Sequence, residues 1–317
     1  MSWAVVVPTN RPDRITRFLD AWGPTFDRHN VQVHVIVDDE ATWEKMPWFI
    51  PRRSDMIRSL GFLKAYRTDV DYVLTLDDDT LPLASQSGID IFERYQRTFE
   101  AGAVLSDYLD VGALTTSGLQ MRGFPYRDRE PARVAIQYGG WHGVLDYDAR
   151  TQLAHPRGPE RFNEVVLPVP RGVAVTCCIM NCAFRRDVTP IMWQLPLLEG
   201  RYNRWGDIWS GLMQKRVLDA TGEVMVINGK ASVLHERASD PHANLERETP
   251  GVPFNERLWR SINCKYGYRS AEMLDVWERV TDVLAEEFAR FDPQYARLFR
   301  KSRDGWLAAV AEVPAHV

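Results

Sequence analysis

The chain is predicted to be an α/β protein with a mostly parallel central sheet and a helical extension at its C-terminal end. Three observations predict this. Strand-length apolar runs alternate with amphipathic helical stretches through the N-terminal third, the second and third runs end in clustered aspartates, and the last sixty residues carry only helical periodicity. Alternation of this kind builds parallel strands joined by right-handed crossovers, and ligands bind outside the carboxyl ends of such strands.

Trp3 to Pro8 is a continuous apolar run and reads as a fully buried strand. Ile15, Phe18, Leu19 and Trp22 then recur at i, i+3, i+4 and i+7, behind the helix-opening Pro12 and Asp13. Val31 to Val37 is the second strand, ending in Asp38-Asp39-Glu40. A second amphipathic segment around Met56, Leu60 and Leu63 carries Arg58 and leads into the third strand, Tyr72 to Leu76. That strand runs into Asp77-Asp78-Asp79. A short helix is expected near Ile89 to Tyr95. From Leu105 to about Arg171 the sequence is rich in glycine, aromatic and charged residues and is expected to form surface on the acceptor side of a cleft. Regular structure is expected again over Val173 to Phe184, as a helix over Asp207 to Leu218, and as a strand pair across Val224 to Leu234 with Gly229 in the turn. His235 follows at once. Met273, Trp277, Val280, Leu284 and Phe288 form an apolar stripe, and Pro293 starts a final helix. With no repeat or flexible linker, residues 1–254 are expected to form the catalytic domain and 255–317 a helical extension packed on it.

Composition removes several function classes. The 39 basic and 43 acidic residues are dispersed and leave a net charge of −4, so nothing marks a nucleic-acid or anionic-membrane partner. The start has no basic leader and no later segment approaches a membrane span, which predicts a soluble, cytoplasmic protein; homo-oligomerisation is left open. No Gly-x-Gly-x-x-Gly follows a strand, so no flavin or nicotinamide is expected, and neither a Walker A sequence nor a nucleophile elbow occurs. Cys177, Cys178, Cys182 and Cys264 lack zinc-site spacing and read as buried thiols. Most of the eleven tryptophans read as core, although flat apolar faces also suit sugar sites.

The chemistry concentrates at Asp77-Asp78-Asp79. Side chains two apart on an extended segment project to one side, so Asp77 and Asp79 can grip a Mn²⁺ or Mg²⁺ ion already carrying substrate phosphates. An acidic turn is the alternative. Asp38-Asp39 at the neighbouring strand end, Arg58 on the intervening helix and the late His235 complete a set suited to a metal-bound nucleotide diphosphate.

Several motifs occur in order: Val6-Val7-Pro8-Thr9-Asn10-Arg11-Pro12, Arg58-x-x-Gly61, Asp77-Asp78-Asp79, Arg122-Gly123-Phe124-Pro125-Tyr126, Asp146-Tyr147-Asp148-Ala149-x-Thr151-Gln152-Leu153 and Met180-Asn181-x-Ala183-Phe184. Gly200-Arg201-Tyr202, Asp207-Ile208-Trp209-Ser210-Gly211, and His235 with Ala238-Ser239-Asp240-Pro241 continue the series to about residue 250. Together they resemble the reversibly glycosylated polypeptides, a family that includes the UDP-arabinopyranose mutases of plants. The resemblance implies a GT-A glycosyltransferase fold, Mn²⁺ dependence, a UDP-sugar ligand and glycosylation of an arginine of the protein itself.

Carried over residue by residue, it makes Asp77, Asp79 and His235 the metal site, with Asp78 assisting on the nucleotide side. Pro8, Thr9, Arg11, Asp38, Asp39 and Arg58 are expected around the nucleotide. Arg122 matches the glycosylated arginine and Arg129 a second arginine needed for activity. A guanidinium stays protonated and is a poor nucleophile, so this chemistry calls on carboxylates to orient it; Asp128, Glu130, Asp146, Asp148 and Asp207 are the candidates. Asp207 also suits a base near the sugar hydroxyls, or an N-cap of its helix. The chain departs from the plant pattern at Asn203-Arg204-Trp205-Gly206 and at Cys177-Cys178, and no motif carries over beyond about residue 255. The expected activity is a UDP-L-arabinopyranose mutase with arginine self-glycosylation. The alternatives are a glycosyltransferase acting on itself or on a separate acceptor, and a non-catalytic nucleotide-sugar-binding subunit.

Overall fold

The computed structural model describes residues 1–313 apart from 84–87, 116, 157, 177, 197–200, 203 and 265–271. The expectations for Cys177, for Gly200 of Gly200-Arg201-Tyr202, for Asn203 and for the side chain of Cys264 lie outside the described residues. The strands are β1 (Trp3–Thr9), β2 (Gln32–Val37), β3 (Tyr72–Leu76), β4 (Thr80–Pro82), β5 (Ala103–Val104), β6 (Pro131–Ala132), β7 (Val134–Gly143), β8 (Glu160–Arg161), β9 (Val166–Pro168), β10 (Asn181–Arg185) and β11 (Val224–His235). The α-helices are α1 (Pro12–Arg28), α2 (Glu40–Lys45), α3 (Arg58–Tyr66), α4 (Ile91–Ala101), α5 (Ala149–Ala154), α6 (Gly206–Thr221), α7 (Pro241–Glu248), α8 (Val252–Cys264), α9 (Met273–Phe291) and α10 (Pro293–Ala311).

The main sheet has the order β2-β1-β3-β10-β7-β11-β4, with β8 on β7 and β9 on β11. β1, β2 and β3 are mutually parallel, β10 runs antiparallel between β3 and β7, and β11 is parallel to β7. The long strands β1, β2, β3, β7 and β11 therefore share one direction, and the expected α/β architecture with C-terminal helices is present. β1 shows why its sequence is apolar throughout. Ala4 and Val6 join a core with α3, α6 and the C-terminal helices, whereas Trp3, Val5 and Val7 join a second core with α1 and α4. A strand covered on both faces needs apolar residues at both parities. Gly61 lets α3 approach closely, since a Cβ there would stand 2.3 Å from Val6 Cγ1.

Helix α1 starts at Pro12 as expected and buries Phe18, Trp22 and Phe26; Leu19, counted in the predicted stripe, is 37% exposed. The α9 stripe is as read, with Trp277, Val280, Leu284 and Phe288 buried in a cluster with Trp193, Trp209, Tyr295 and Phe299. That cluster is continuous with the sheet's own core, and a division at residues 254 and 255 would cut through α8. Trp3, Trp22, Trp193, Trp209, Trp277 and Trp306 are fully buried, which settles them as core.

Three expectations need correction. The stretch from Leu105 to Arg171 is not all surface: it contains β7, buried from Val134 to Gly140 at the centre of the sheet. Its signal was masked by Gln137, Gly139 and Gly140. Gln137 satisfies its amide on the Tyr95 carbonyl, and Gly139 and Gly140 admit the Asn181 and Ser232 side chains where a Cβ would stand 2.1 and 2.4 Å from them. Val224 to Leu234 is one strand rather than a pair. Gly229 marks a bulge, because the register against β7 jumps between Asn228 and Val233 and the Asn228 side chain accepts from the Ala231 amide. Among the described residues of Val173 to Phe184, only the end is strand, from Asn181.

Candidate active site

The acidic tip is a tight turn leaving β3. The Thr80 amide donates to the Asp77 carbonyl at 3.1 Å, the Thr80 hydroxyl donates to the same oxygen at 2.8 Å, and the chain then enters β4. The three carboxylates point to different partners. Asp78 is buried and turned back toward β1, where it accepts from the Thr9 hydroxyl and from the Arg11 guanidinium. Asp77 accepts from Arg58, whose other contacts include the Thr75 hydroxyl and the Ile179 carbonyl. Asp79 is paired with Arg11 at 3.1 Å and Arg237 at 3.5 Å. Asp77 and Asp79, but not Asp78, line a cavity of about 680 Å³.

His235 reaches this tip because β4 pairs with the end of β11, aligning Thr80 with His235. Its Nδ1 lies 2.5 Å from the Val144 carbonyl. A carbonyl only accepts, so Nδ1 carries a proton and Nε2 is the nitrogen left to coordinate when the imidazole is neutral. Nε2 faces Asp79 Oδ1 across 3.8 Å, and Asp79 Oδ1 is buried without a hydrogen-bond partner. Two acceptors facing each other in a buried site fit a divalent cation between them, and the backbone-oriented imidazole is how histidine ligands are held.

A second group of acidic residues lines the same cavity. The Asp146 carboxylate accepts from Arg204 at 2.9 Å and from the Cys178 thiol at 3.6 Å. Asp148 caps α5, accepting from the Thr151 amide and hydroxyl. Burial would raise its carboxyl, but these hydrogen bonds outweigh that and hold it below the ordinary aspartate value. Asp207 is not the N-cap of its helix: Trp205 occupies that position, and Asp207 lies in the first turn, accepting from the Ile208 and Ile179 amides. Cys178 also lines the cavity. Burial first, then the charges of Asp146, Asp207 and Asp77, push its thiol well above the ordinary value, so it stays a neutral donor. Cys182 is buried and free, as expected.

Other expected site residues stand apart. Asp38 accepts from the Trp43 indole at 2.6 Å and Asp39 caps α2 through the Thr42 amide, so neither lines the cavity. Pro8, Thr9 and Arg11 also lie outside its wall. Arg122 is exposed on the loop after β5. Arg129 on the same loop stacks over Tyr126 with its guanidinium carbon 3.8 Å from the ring centroid and donates to the Phe124 carbonyl. Asp128 accepts from Ser106 rather than from Arg122. Arg204 was named in the sequence only within the departing Asn203-Arg204-Trp205-Gly206 stretch, and Arg237 and Glu248 were not singled out; no local pattern links Glu248, at the end of α7, to the Arg204 that donates to it at 2.8 Å. A further group, His29, Asp90 and Glu93, brings its ligand-type atoms within 4.8 Å of one another. Asp90 is already saturated there, capping α4 and accepting from Arg28 and His29.

The profile of the family described as "Reversibly glycosylated polypeptide" matches residues 48–314. The chain belongs to that family. Among similar curated proteins, "Probable UDP-arabinopyranose mutase 4" of Arabidopsis thaliana is 26% identical over 323 residues, covering 93% of this chain and 86% of that one. "UDP-arabinopyranose mutase 1" of Oryza sativa subsp. japonica is 26% identical over 318 residues with the same coverage. A crystal structure of a Drosophila β-1,4-galactosyltransferase 7 mutant with manganese, UDP-Gal and xylobiose is similar over 75% of this chain and 72% of that one, at TM-score 0.35 and 14% identity. The family match contains the acidic tip, His235, Arg122 and Arg129, and begins after Pro8, Thr9, Arg11, Asp38 and Asp39. Among the described residues, no helix is long and apolar enough to cross a membrane.

Proposed function

We propose that the protein is a cytoplasmic enzyme interconverting UDP-L-arabinopyranose and UDP-L-arabinofuranose, dependent on Mn²⁺ or Mg²⁺ and able to glycosylate itself on Arg122. The observation that carries this reading is the buried Asp79 oxygen, without a hydrogen-bond partner, facing His235 Nε2 across 3.8 Å on the cavity wall. The charge of the cavity supports it: seven carboxylates and five arginines line the wall, so a diphosphate needs a cation to enter. Asp79 and His235, with Asp77, would hold that ion; when bound, it neutralises charge developing on the departing UDP.

The chain's own residues supply the rest. Arg58 and Arg237 stand beside the metal-site carboxylates and offer guanidinium donors to phosphate oxygens. Asp146, Asp148 and Asp207 face the cavity beyond, where they can orient sugar hydroxyls and accept a proton. Ring contraction requires the C1–O bond to UDP to break with the electron pair leaving on UDP. The ring C1–O5 bond opens and O4 closes on C1 instead, the 4-hydroxyl proton passing to O5, and the UDP oxygen then returns to C1. This isomerisation needs no redox cofactor.

Incubation with UDP-arabinopyranose and Mn²⁺, followed by separation of pyranose from furanose nucleotides, is the test. Conversion supports the mutase, and its absence in metal-replete buffer overturns it. The exposed position of Arg122, off the cavity wall, favours a second reading in which sugar is delivered to an acceptor outside the cavity. Intact mass after exposure to UDP-glucose, with and without an added acceptor, separates these products.

A further inference from the structure

Arg204 lines the same cavity as the acidic tip, in the segment just before α6. Its Nε donates to Glu248 Oε1 at 2.8 Å and its Nη2 to Asp146 Oδ1 at 2.9 Å. Both carboxylates are themselves anchored: Glu248 is 8% exposed and accepts from the Ala149 amide at 2.8 Å, and Asp146 accepts from Cys178. The neighbouring Trp205 is fixed as well, stacked on Trp209 at 5.6 Å and donating to the Glu248 carbonyl at 2.9 Å. Gly251 packs against its ring, so Trp205 is a support and not a stacking platform. The guanidinium is thus clamped on one edge, while its Nη1 makes no bond to a described residue. On the same wall, Asn255 Oδ1 is buried without a hydrogen-bond partner.

A pre-oriented donor and an unfilled acceptor on one wall are complementary to a hydroxyl-bearing ligand, because each hydroxyl both donates and accepts. Resting on the nucleotide-sugar reading above, we infer that Arg204 is a substrate-binding residue of the sugar subsite, donating through Nη1 to a sugar hydroxyl with Asn255 as the complementary acceptor. Arg204 is already neutralised by two carboxylates, Asp146 and Glu248, neither of which belongs to the acidic tip. Its contribution therefore goes to the sugar and not to the diphosphate.

The test measures affinity for UDP and for UDP-arabinopyranose by titration calorimetry in Mn²⁺, using the full chain and its Arg204→Ala and Arg204→Lys variants. Arg204→Ala is expected to weaken UDP-arabinopyranose about ten- to hundred-fold, the loss expected for a charged hydrogen-bond donor, while changing UDP affinity by no more than about two-fold. Arg204→Lys keeps the charge but loses the fork; it is expected to retain the parent melting temperature and still lose about five-fold or more on the sugar nucleotide alone. Equal weakening of both ligands, or no weakening, overturns the assignment and leaves Arg204 a wall strut. An unaltered protein that binds neither ligand overturns the nucleotide-sugar reading and this inference with it.

Discussion

The acidic tip and the Arg122 loop are both short polar segments that carry expected chemistry, and the fold treats them in opposite ways. At the tip, the side chains of Asp78 and Asp79 are only 1% and 5% exposed, and Arg11 and Arg58 are drawn in from β1's end and α3 to pair with the three carboxylates. On the loop Arg122 is exposed, and several apolar neighbours are exposed with it, among them Leu119, Met121 and Tyr126. The difference is one of dielectric. Charges taken out of water must be paired or neutralised, so the tip is constrained by its partners, whereas an exposed guanidinium is satisfied by solvent and its position imposes nothing.

That contrast can be broken by experiment. Asp79→Asn removes the charge that faces His235 and is expected to lower turnover by about two to three orders of magnitude at saturating Mn²⁺, measured as pyranose-to-furanose conversion. Activity within a few-fold of the parent would dissolve the assignment of the tip. His235→Ala should lower metal affinity by about ten- to a hundred-fold, seen as a shift of the Mn²⁺ dependence to higher concentration. Gly61→Ala tests the frame behind Arg58: with Val6 in the way, overpacking is expected to cost about 1–3 kcal/mol in a denaturant titration.

Acid should loosen the cavity rim at Asp148. Its carboxyl is depressed in the folded state, so its stabilising contribution is present above the ordinary value of 3.8 and is lost as pH falls through the lower folded value. Carbon-detected NMR titration of Asp148 would read this, and a midpoint at or above 3.8 would contradict the capping role. The smallest effect is expected at Arg122. Arg122→Ala should abolish the sugar mass increment while moving the melting temperature by less than about 2 °C, because an exposed substitution costs at most about 0.5 kcal/mol. A large drop in stability would show that the loop is held more tightly than its exposure indicates.

Much of this was legible in the chain because it depends on local pattern. The βαβαβ start, the strand running into Asp77-Asp78-Asp79, and the α9 stripe each follow from periodicities that survive without tertiary context. β7 did not, because glycine and glutamine in a buried strand read as loop until Asn181, Ser232 and the Tyr95 carbonyl are beside them. Asp207 was read as a base near the sugar or an N-cap of its helix, and the helix begins two residues before an N-cap there would allow, at Gly206 with Trp205 at the capping position.

By itself, then, the sequence determined the layered α/β class, the acidic strand end and the family, since short-range apolar periodicity and ordered motifs are properties of the chain alone. Only the tertiary structure decided which carboxylates face the cavity. Asp78 turns away to Thr9 and Arg11, Asp79 is left with an unpaired oxygen opposite His235, and Arg204 is clamped between Asp146 and Glu248. Those outcomes depend on groups tens of residues or more apart in the chain, brought together by β4 pairing with β11 and by α7 closing against the segment before α6; a buried polar atom's partners are set by that meeting and not by its neighbours in sequence.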